Sequence, residues 1–262
     1  MKKAIVVVSC GTSYEKTLER AIGGCENRIR EAFSDYDVRR AFTSNTAIGK
    51  LEKRDNIHVD TVEEALGKLK DQGYSEVIVQ SLHIINGDEH DKVKEQASAF
   101  HNQFDRLIIG EPLLTDRQDY EIVIAALFSQ IPVLEKDEAV VFMGQGSGHY
   151  SFSAYACLDH MLRDTPMFLA CMESYPELDI IIGELEEKDK KKVHLMPFML
   201  VADEHVIHDM ASEDKESWNS QLQRAGFETT CYSQGLGENP AIQTEFVKRI
   251  FRAMEKEKSV CG

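Results

Sequence analysis

Three side chains that can bind a cation or move a proton, Gln145, Glu173 and His205, each follow a strand-like segment in the second half of the chain. Ligands of open α/β sheets bind at the carboxyl ends of the strands, so we expect these side chains to converge. Histidine and glutamate suit a borderline divalent ion, whereas the neutral amide of glutamine is a poor ligand. The pattern leaves two interpretations open: a metal site, or a polar helix start at His205 with a solvated loop carboxylate at Glu173.

Two turns rich in glycine and hydroxyl groups also follow strand-like segments. They are Gly11-Thr12-Ser13 and Gly146-Ser147-Gly148. Such turns can cradle phosphate, but neither matches the Walker pattern or a complete G-x-G-x-x-G, and no P-loop lysine follows. We therefore interpret both as tight strand-to-helix turns that require glycine.

Other candidates lie near these segments. His149 is close to Gln145, His83 follows a strand, and His90 occupies the place in the first half that His205 has in the second. A basic segment, 39–54, includes Arg54 and is expected either to bind an anionic small molecule or to form a solvated face. The remaining histidines are assigned structural or surface roles: His58, His101, His160, His194 and His208.

The elements that must position these residues alternate between strands and helices, which predicts an α/β fold with parallel sheets. The predicted strands are 3–9, 38–43, 76–81, 106–109, 139–144, 168–172, 193–196 and 229–232. The predicted helices are 14–33, 62–72, 91–104, 117–130, 151–163, 177–185, 205–210, 215–225 and 240–256. The apolar start of the chain is interpreted as the first strand, because its apolar core is too short for a lipoprotein signal.

An internal repeat divides the chain. AIVVVSCGTS (4–13) resembles AVVFMGQGSG (139–148), and GDEH (87–90) resembles ADEH (202–205) in the same order. Two ordered matches indicate a duplicated βα unit. We predict an N-terminal lobe of residues 1–133 and a C-terminal lobe of residues 134–262, with a cleft between them.

Composition excludes several classes of protein. The 262 residues carry 45 Asp+Glu and 30 Lys+Arg, a formal charge of −15, which disfavours binding to nucleic acid. No apolar run approaches the roughly 20 residues of a membrane span. Six cysteines without a C-x-x-C pair indicate thiols in a reducing cytoplasm, so a cytoplasmic location is expected.

Longer motifs resemble the anaerobic-type cobalt chelatases, class II tetrapyrrole chelatases that act on sirohydrochlorin. The matching segments span nearly the whole chain. They are VVSCGTSY (7–14), AFTS (41–44), QSLHIINGDE (80–89), AYACLDHM (154–161), ESYPE (173–177), HLMP (194–197), LVADEH (200–205) and GLGENPAI (235–242).

The resemblance implies two flavodoxin-like lobes and insertion of Co²⁺ into sirohydrochlorin, a precorrin-2-type tetrapyrrole, without ATP or an organic cofactor. Family members hold the metal with two histidines and a glutamate. By motif these fall on His205, Glu173 and the position of Gln145, where the family has Gly-His-Gly and this chain has Gly-Gln-Gly. We expect the loops at the strand ends to contact the substrate through Gly11, Thr12, Ser13, His83, Ile85, Asn86, Gly87, Ser147 and His149. A separate hypothesis is that the basic segment, including Arg54, pairs with substrate carboxylates.

Gln145 differs from the family pattern at a position where the family has a metal-binding histidine. A neutral imidazole can bind the ion and accept a pyrrole proton near pH ~7, and an amide cannot. We predict that the chain binds the tetrapyrrole but metallates it slowly. Gln145 is either an engineered replacement or a natural residue of a protein with altered metal choice or reduced activity.

The alternative functions of the chain are a tetrapyrrole or haem carrier without turnover and a nickel or iron chelatase. An oligomer is possible.

Overall fold

A computed structural model describes residues 2–260, so Cys261 and the outermost ends of the predicted lobes lie outside the described residues. The strands are β1 Lys2–Ser9, β2 Asp37–Phe42, β3 Tyr74–Ser81, β4 Arg106–Gly110, β5 Glu138–Gly144, β6 Met167–Cys171, β7 Lys192–Phe198 and β8 Glu228–Cys231. The helices are α1 Glu15–Thr17, α2 Gly23–Ala32, α3 Asn45–Asp55, α4 Val62–Asp71, α5 Asp88–Ser98, α6 Arg117–Phe128, α7 Ser153–Leu162, α8 Leu178–Glu187, α9 Trp218–Arg224 and α10 Pro240–Val260.

The strands form two parallel four-stranded sheets with the same topology. Their orders are β2-β1-β3-β4 and β6-β5-β7-β8, so β1 and β5 are the corresponding interior strands. In register, Val6 lies beside Arg39 of β2 and Val79 of β3, and Phe142 lies beside Leu169 of β6 and Met196 of β7. The predicted α/β class and the duplication are confirmed.

Burial explains why the two interior strands are apolar along almost their whole length. Ile5 and Val8 of β1, and Val141 and Phe142 of β5, have no exposed surface. A strand in a parallel sheet is covered on both faces, so it lacks the alternation of polar and apolar residues found at a half-exposed sheet. The continuous apolar runs therefore predicted these strands correctly.

One helix was not predicted. Helix α3 occupies most of the segment that we interpreted only as basic, and it buries just Ala47, Ile48 and Leu51. The side chain of Ser44 accepts a hydrogen bond from the Ala47 N–H at 3.2 Å, which caps the helix start. The segment has too few apolar residues to show a helical period, and its charged residues led us to describe it only as basic.

Several predicted helices differ in their bounds or type. The helix predicted at 14–33 consists of α1, a π-helical segment Leu18–Ile22, and α2. The helix predicted at 205–210 is a π-helical turn, Val206–Met210. The helix predicted at 91–104 ends at Ser98 and is followed by a short 3₁₀ turn, His101–Gln103. Residue spacing alone distinguishes these helix types poorly.

The chain forms two compact units whose limits differ from the predicted lobes 1–133 and 134–262. The N-terminal unit extends to Thr115 and also contains the chain from Pro240 onward; the C-terminal unit is Asp116–Asn239. Helix α10 joins the N-terminal unit because it packs against α2, β3 and β4. Its amphipathic pattern indicates a covered face but not which sheet covers it.

Each unit has its own apolar core. In the N-terminal unit, Val6 and Val79 pack with residues of α4 and α5. In the C-terminal unit, Val141 and Leu195 pack with residues of α8 and α9, including Trp218. Among residues 2–260, no helix combines the length and apolar character needed to cross a membrane.

The assignment of α10 to the N-terminal unit predicts the effect of a core substitution. Phe246 of α10 is fully buried, so Phe246→Ala is expected to lower the free energy of unfolding by about 3–5 kcal/mol. Phe128→Ala is the matched control, because that ring is 47% exposed and surface changes usually cost less than about 0.5 kcal/mol. Denaturation followed by circular dichroism measures both; equal costs would contradict the placement of α10.

Candidate metal and substrate site

Gln145 and Glu173 are held side by side where β5 and β6 end. The Met172 N–H donates to the Gly144 carbonyl at 3.0 Å, and the Glu173 N–H donates to the Gln145 carbonyl at 3.0 Å. These bonds join the loops that follow β5 and β6. Gln145 and Glu173 are both exposed. The structure therefore brings two of the three predicted ligand positions together.

Gly146 permits this close approach. Its φ is +84°, and a Cβ at this position would lie 2.7 Å from Ser174 Oγ and 2.8 Å from Ser174 N. The following residue, Ser147, donates its N–H to Ser174 Oγ at 3.2 Å. A side chain at position 146 would push apart the two loops that carry Gln145 and Glu173.

His205 follows β7, the other neighbour of β5, so its loop lies at the same sheet edge. It begins the π-helical turn whose Val206 and Met210 are buried in the core. His205 Nδ1 lies 2.7 Å from Asp209 Oδ2. An Nδ1–H donated to Asp209 leaves the imidazole lone pair on Nε2, the arrangement by which carboxylates orient metal-binding histidines. The side chain is 44% exposed.

Ser147 and His149 shape the loop after β5. The His149 N–H donates to Ser147 Oγ at 3.0 Å, and His149 Nδ1 accepts from the Ser151 N–H at 3.3 Å. The His149 ring lies 3.8 Å from the Tyr150 ring, which is 79% exposed. Both predicted contact residues therefore support a turn that presents an aromatic surface.

In the N-terminal unit, the turn Gly11-Thr12-Ser13 is held by its surroundings. Gly11 has a φ of +85°, and a Cβ there would overlap the Phe42 ring. Thr12 and Ser13 are buried, and Thr12 Oγ1 accepts from the Tyr14 N–H at 3.2 Å. The turn interpretation thus accounts for the glycine and for the Thr12 hydroxyl.

Arg54 contacts this turn directly. Its Nη2 donates to the Ser13 carbonyl at 2.6 Å, and the guanidinium forms a two-bond ion pair with Asp55. The hydrogen bond to Asp55 raises the pKa of Arg54 and lowers that of Asp55. Arg40, also in the basic segment, pairs with buried Glu26 at 2.6 Å. Much of the positive charge of this segment is therefore neutralised within the chain.

The loop after β3 holds the predicted contacts Ile85, Asn86 and Gly87. Ile85 is buried and forms an isolated parallel bridge with Leu114, and Asn86 Nδ2 donates to Thr115 Oγ1 at 3.0 Å. Gly87 precedes the first residue of α5. These contacts tether the loop to the segment after β4.

His83 belongs to a cluster that the sequence did not reveal as a whole. Ligand atoms of Cys10, His83 and Glu89 all lie within 4.8 Å of one another. Burial lowers the pKa of His83 to about 4, so its imidazole is neutral at pH 7. Burial is the largest single influence on the pKa of Glu89 and would raise it, but the hydrogen bonds from Lys92 and Thr43 and the nearby positive charge together lower it. Three groups that can bind a metal ion therefore meet in the N-terminal unit.

Comparison with known proteins identifies the family to which the chain belongs. The family described as cobalt chelatase (CbiK) matches residues 3–255. The chain belongs to this family. The sirohydrochlorin cobaltochelatase of Salmonella typhimurium is 48% identical over 256 residues, covering 97% of each chain. Sirohydrochlorin cobaltochelatase CbiKC of Nitratidesulfovibrio vulgaris is 35% identical over 242 residues, covering 90% of this chain and 85% of its own.

Solved chelatases share the fold of this CbiK-family chain. SirB from Bacillus subtilis, solved with Fe³⁺, superposes with a TM-score of 0.66 at 18% identity and covers 98% of both chains. CbiX, the terminal enzyme of siroheme biosynthesis in denitrifying bacteria, gives a TM-score of 0.53 at 15% identity and covers 97% of this chain and 99% of its own. The resemblance inferred from the motifs is confirmed at the level of family and fold.

Three residues of interest were not predicted as site residues: Cys10, Glu89 and Asp209. Asp209 carried a readable signal, because it lies four residues after His205 and such pairs face each other on a helix. Cys10 directly precedes the Gly11 turn, as Gln145 precedes Gly146. Aligning the two halves of the internal repeat therefore places Cys10 opposite Gln145. Cys10 was not considered as a ligand because no other cysteine lies near it in the sequence.

The tight turn at Gly146 yields a stability prediction. Gly146→Ala is expected to lower the free energy of unfolding by at least about 1–2 kcal/mol, because a left-handed φ is costly with a Cβ and because Ser174 must move. Gly148→Ala is the control, since its Cβ would meet no described atom within 4 Å. Fluorescence of Trp218, which lies in the same unit, reports unfolding. A loss equal to that of the control would refute the role of Gly146.

Proposed function

We propose that this chain inserts Co²⁺ into sirohydrochlorin without ATP. The observation that carries the proposal is the 48% identity, over 97% of both chains, to a sirohydrochlorin cobaltochelatase. The positions of Glu173 and His205, after neighbours of the interior strand β5, support it. A tetrapyrrole carrier without turnover is less favoured, because both curated relatives are chelatases.

The reaction exchanges protons for metal. Two pyrrole N–H protons leave the macrocycle as Co²⁺ binds its four nitrogens, so the protein must deliver the ion and accept or relay protons. Glu173 supplies negative charge for the incoming cation. His205, oriented by Asp209 through Nδ1, presents Nε2 as a metal ligand or proton acceptor. The exposure of both residues lets a bulky substrate reach them.

Exposed aromatic rings on the same loops suit a flat macrocycle. Tyr150 follows β5 and is 79% exposed, and Tyr175 follows β6 and is 51% exposed. Rings of this kind stack favourably on extended π-systems. We include both among the residues proposed to contact the tetrapyrrole, together with Ser147 and His149. In the N-terminal unit, Arg54 supports the proposed substrate turn through its bond to Ser13.

Position 145 limits the rate in this proposal. An amide neither accepts a proton at neutral pH nor binds Co²⁺ as well as imidazole does. Gln145→His is expected to raise the rate of cobalt insertion by about two orders of magnitude, the usual scale of general acid–base catalysis. The absorbance change of the tetrapyrrole on metallation measures the rate. Gln72→His, at an exposed glutamine of the N-terminal unit, is the control for an unspecific effect of an added histidine and should leave the rate unchanged. Equally fast insertion by the unmodified chain and by Gln145→His would reject the role assigned to this position.

Glu173 provides a second test. Glu173→Gln keeps the shape of the side chain but removes its charge, and should reduce the insertion rate by at least about tenfold, since even outer-shell partners of metal ligands are worth about 10–100-fold. Glu177→Gln is the matched control, because Glu177 is also exposed and makes no capping hydrogen bond with its side chain. An unchanged rate in Glu173→Gln would remove Glu173 from the proposed metal path.

The preferred metal is proposed to be Co²⁺. The names of the curated relatives support this choice, whereas the solved SirB structures contain Fe³⁺ or cobalt. Ligand softness barely separates Co²⁺ from Ni²⁺. Insertion assays with equimolar Co²⁺, Ni²⁺ and Fe²⁺ are expected to yield mainly the cobalt product; a majority of nickel or iron product would reassign the metal.

A further inference from the structure

The cluster of Cys10, His83 and Glu89 joins three segments of the N-terminal unit. Cys10 is the first residue after β1, His83 follows the neighbouring strand β3, and Glu89 lies in the first turn of α5. Their ligand atoms lie within 4.8 Å of one another, a spacing that one ion can bridge. The cluster thus occupies the carboxyl-end edge of the sheet, where ligands bind in folds of this type.

His83 is arranged as a metal ligand. Its Nδ1 lies 2.8 Å from Ser81 Oγ, whereas Nε2 is 3.5 Å from Thr43 Oγ1. When Nδ1–H donates to Ser81, the Nε2 lone pair remains available for a cation, and the outer hydrogen bond fixes the ring orientation.

Glu89 offers a carboxylate oxygen that a cation could bind. One carboxylate oxygen, Oε1, pairs with Lys92. The other oxygen, Oε2, is buried and has no hydrogen-bond partner among the described residues. A buried carboxylate oxygen is costly unless a hydrogen-bond donor or a metal ion satisfies it. An ion held between Glu89, His83 and Cys10 would satisfy this oxygen.

We propose that Cys10, His83 and Glu89 bind a borderline divalent cation such as Co²⁺ or Zn²⁺. The Cys10 thiol loses its proton to the solvent as the sulfur–metal bond forms, so one proton is released for each ion bound. Sulfur and imidazole ligands select such ions over Mg²⁺ and Ca²⁺. Three protein ligands leave a fourth position open for water or an exchanging ligand.

This site goes beyond the proposed function. Its ligands lie in the N-terminal unit and include sulfur, whereas Gln145, Glu173 and His205 lie in the C-terminal unit. The structure holds a second group of possible ligands, His58, Asp60 and Glu64. That group is a weaker candidate, because His58 is exposed and Asp60 already forms an ion pair with Lys68.

The sulfur ligand permits a test that needs no tetrapyrrole. The full-length, reduced protein is titrated with Co²⁺ while the near-ultraviolet thiolate-to-cobalt charge-transfer absorption is recorded. We expect this absorption in the unmodified protein and in Cys157→Ser, whose thiol is also exposed, and its loss in Cys10→Ser. Circular dichroism checks that each variant is folded. Because no substrate is present, failure of chelatase activity does not affect the outcome.

A second variant tests the carboxylate. Glu89→Gln should raise the Kd for Co²⁺, read from the same absorption, at least about tenfold, while Glu177→Gln, at an exposed carboxylate outside both groups of ligands, should leave it unchanged. The proposal is overturned if the absorption is absent in the unmodified protein, persists in Cys10→Ser, or keeps its Co²⁺ dependence in Glu89→Gln.

Discussion

Backbone hydrogen bonds just past the end of each sheet's interior strand fix the positions of the side chains on which the proposed chemistry depends. In the C-terminal unit the Glu173 N–H donates to the Gln145 carbonyl at 3.0 Å, and in the N-terminal unit the Ser44 N–H donates to the Cys10 carbonyl at 3.3 Å. A glycine with φ near +85° follows each acceptor residue. These bonds hold two loops in contact at the sheet edge and leave the side chains of Gln145 and Cys10 at corresponding positions.

The same backbone arrangement carries different side chains in the two units. At corresponding positions one unit has an amide and a carboxylate, Gln145 and Glu173, and the other has a thiol and a hydroxyl, Cys10 and Ser44. The proposed set of the C-terminal unit also includes His205, whose Nδ1 lies beside Asp209, and that of the N-terminal unit includes His83 and Glu89. The duplicated fold specifies the location of a site, and a few residues specify which ion it suits.

Most of the fold could be predicted from the sequence, because the buried strands of a parallel sheet appear as continuous apolar segments. It missed α3, whose apolar face is small, and it misplaced the limit of the N-terminal unit because α10 returns to pack on β3 and β4. The motifs led to Glu173 and His205. Cys10 and Glu89 escaped notice because residues 10, 83 and 89 meet only through sheet order, and no spacing along the chain expresses that proximity.

Diffraction from crystals of this chain grown with Co²⁺ and sirohydrochlorin, measured at the cobalt absorption edge, tests the central claim most directly. The claim is that the strand ends of the C-terminal unit deliver the ion. It predicts an anomalous peak within about 2.5 Å of the Glu173 carboxylate or of His205 Nε2, with the tetrapyrrole against the same loops. A tetrapyrrole and cobalt bound without contact to Glu173 or His205 would contradict it.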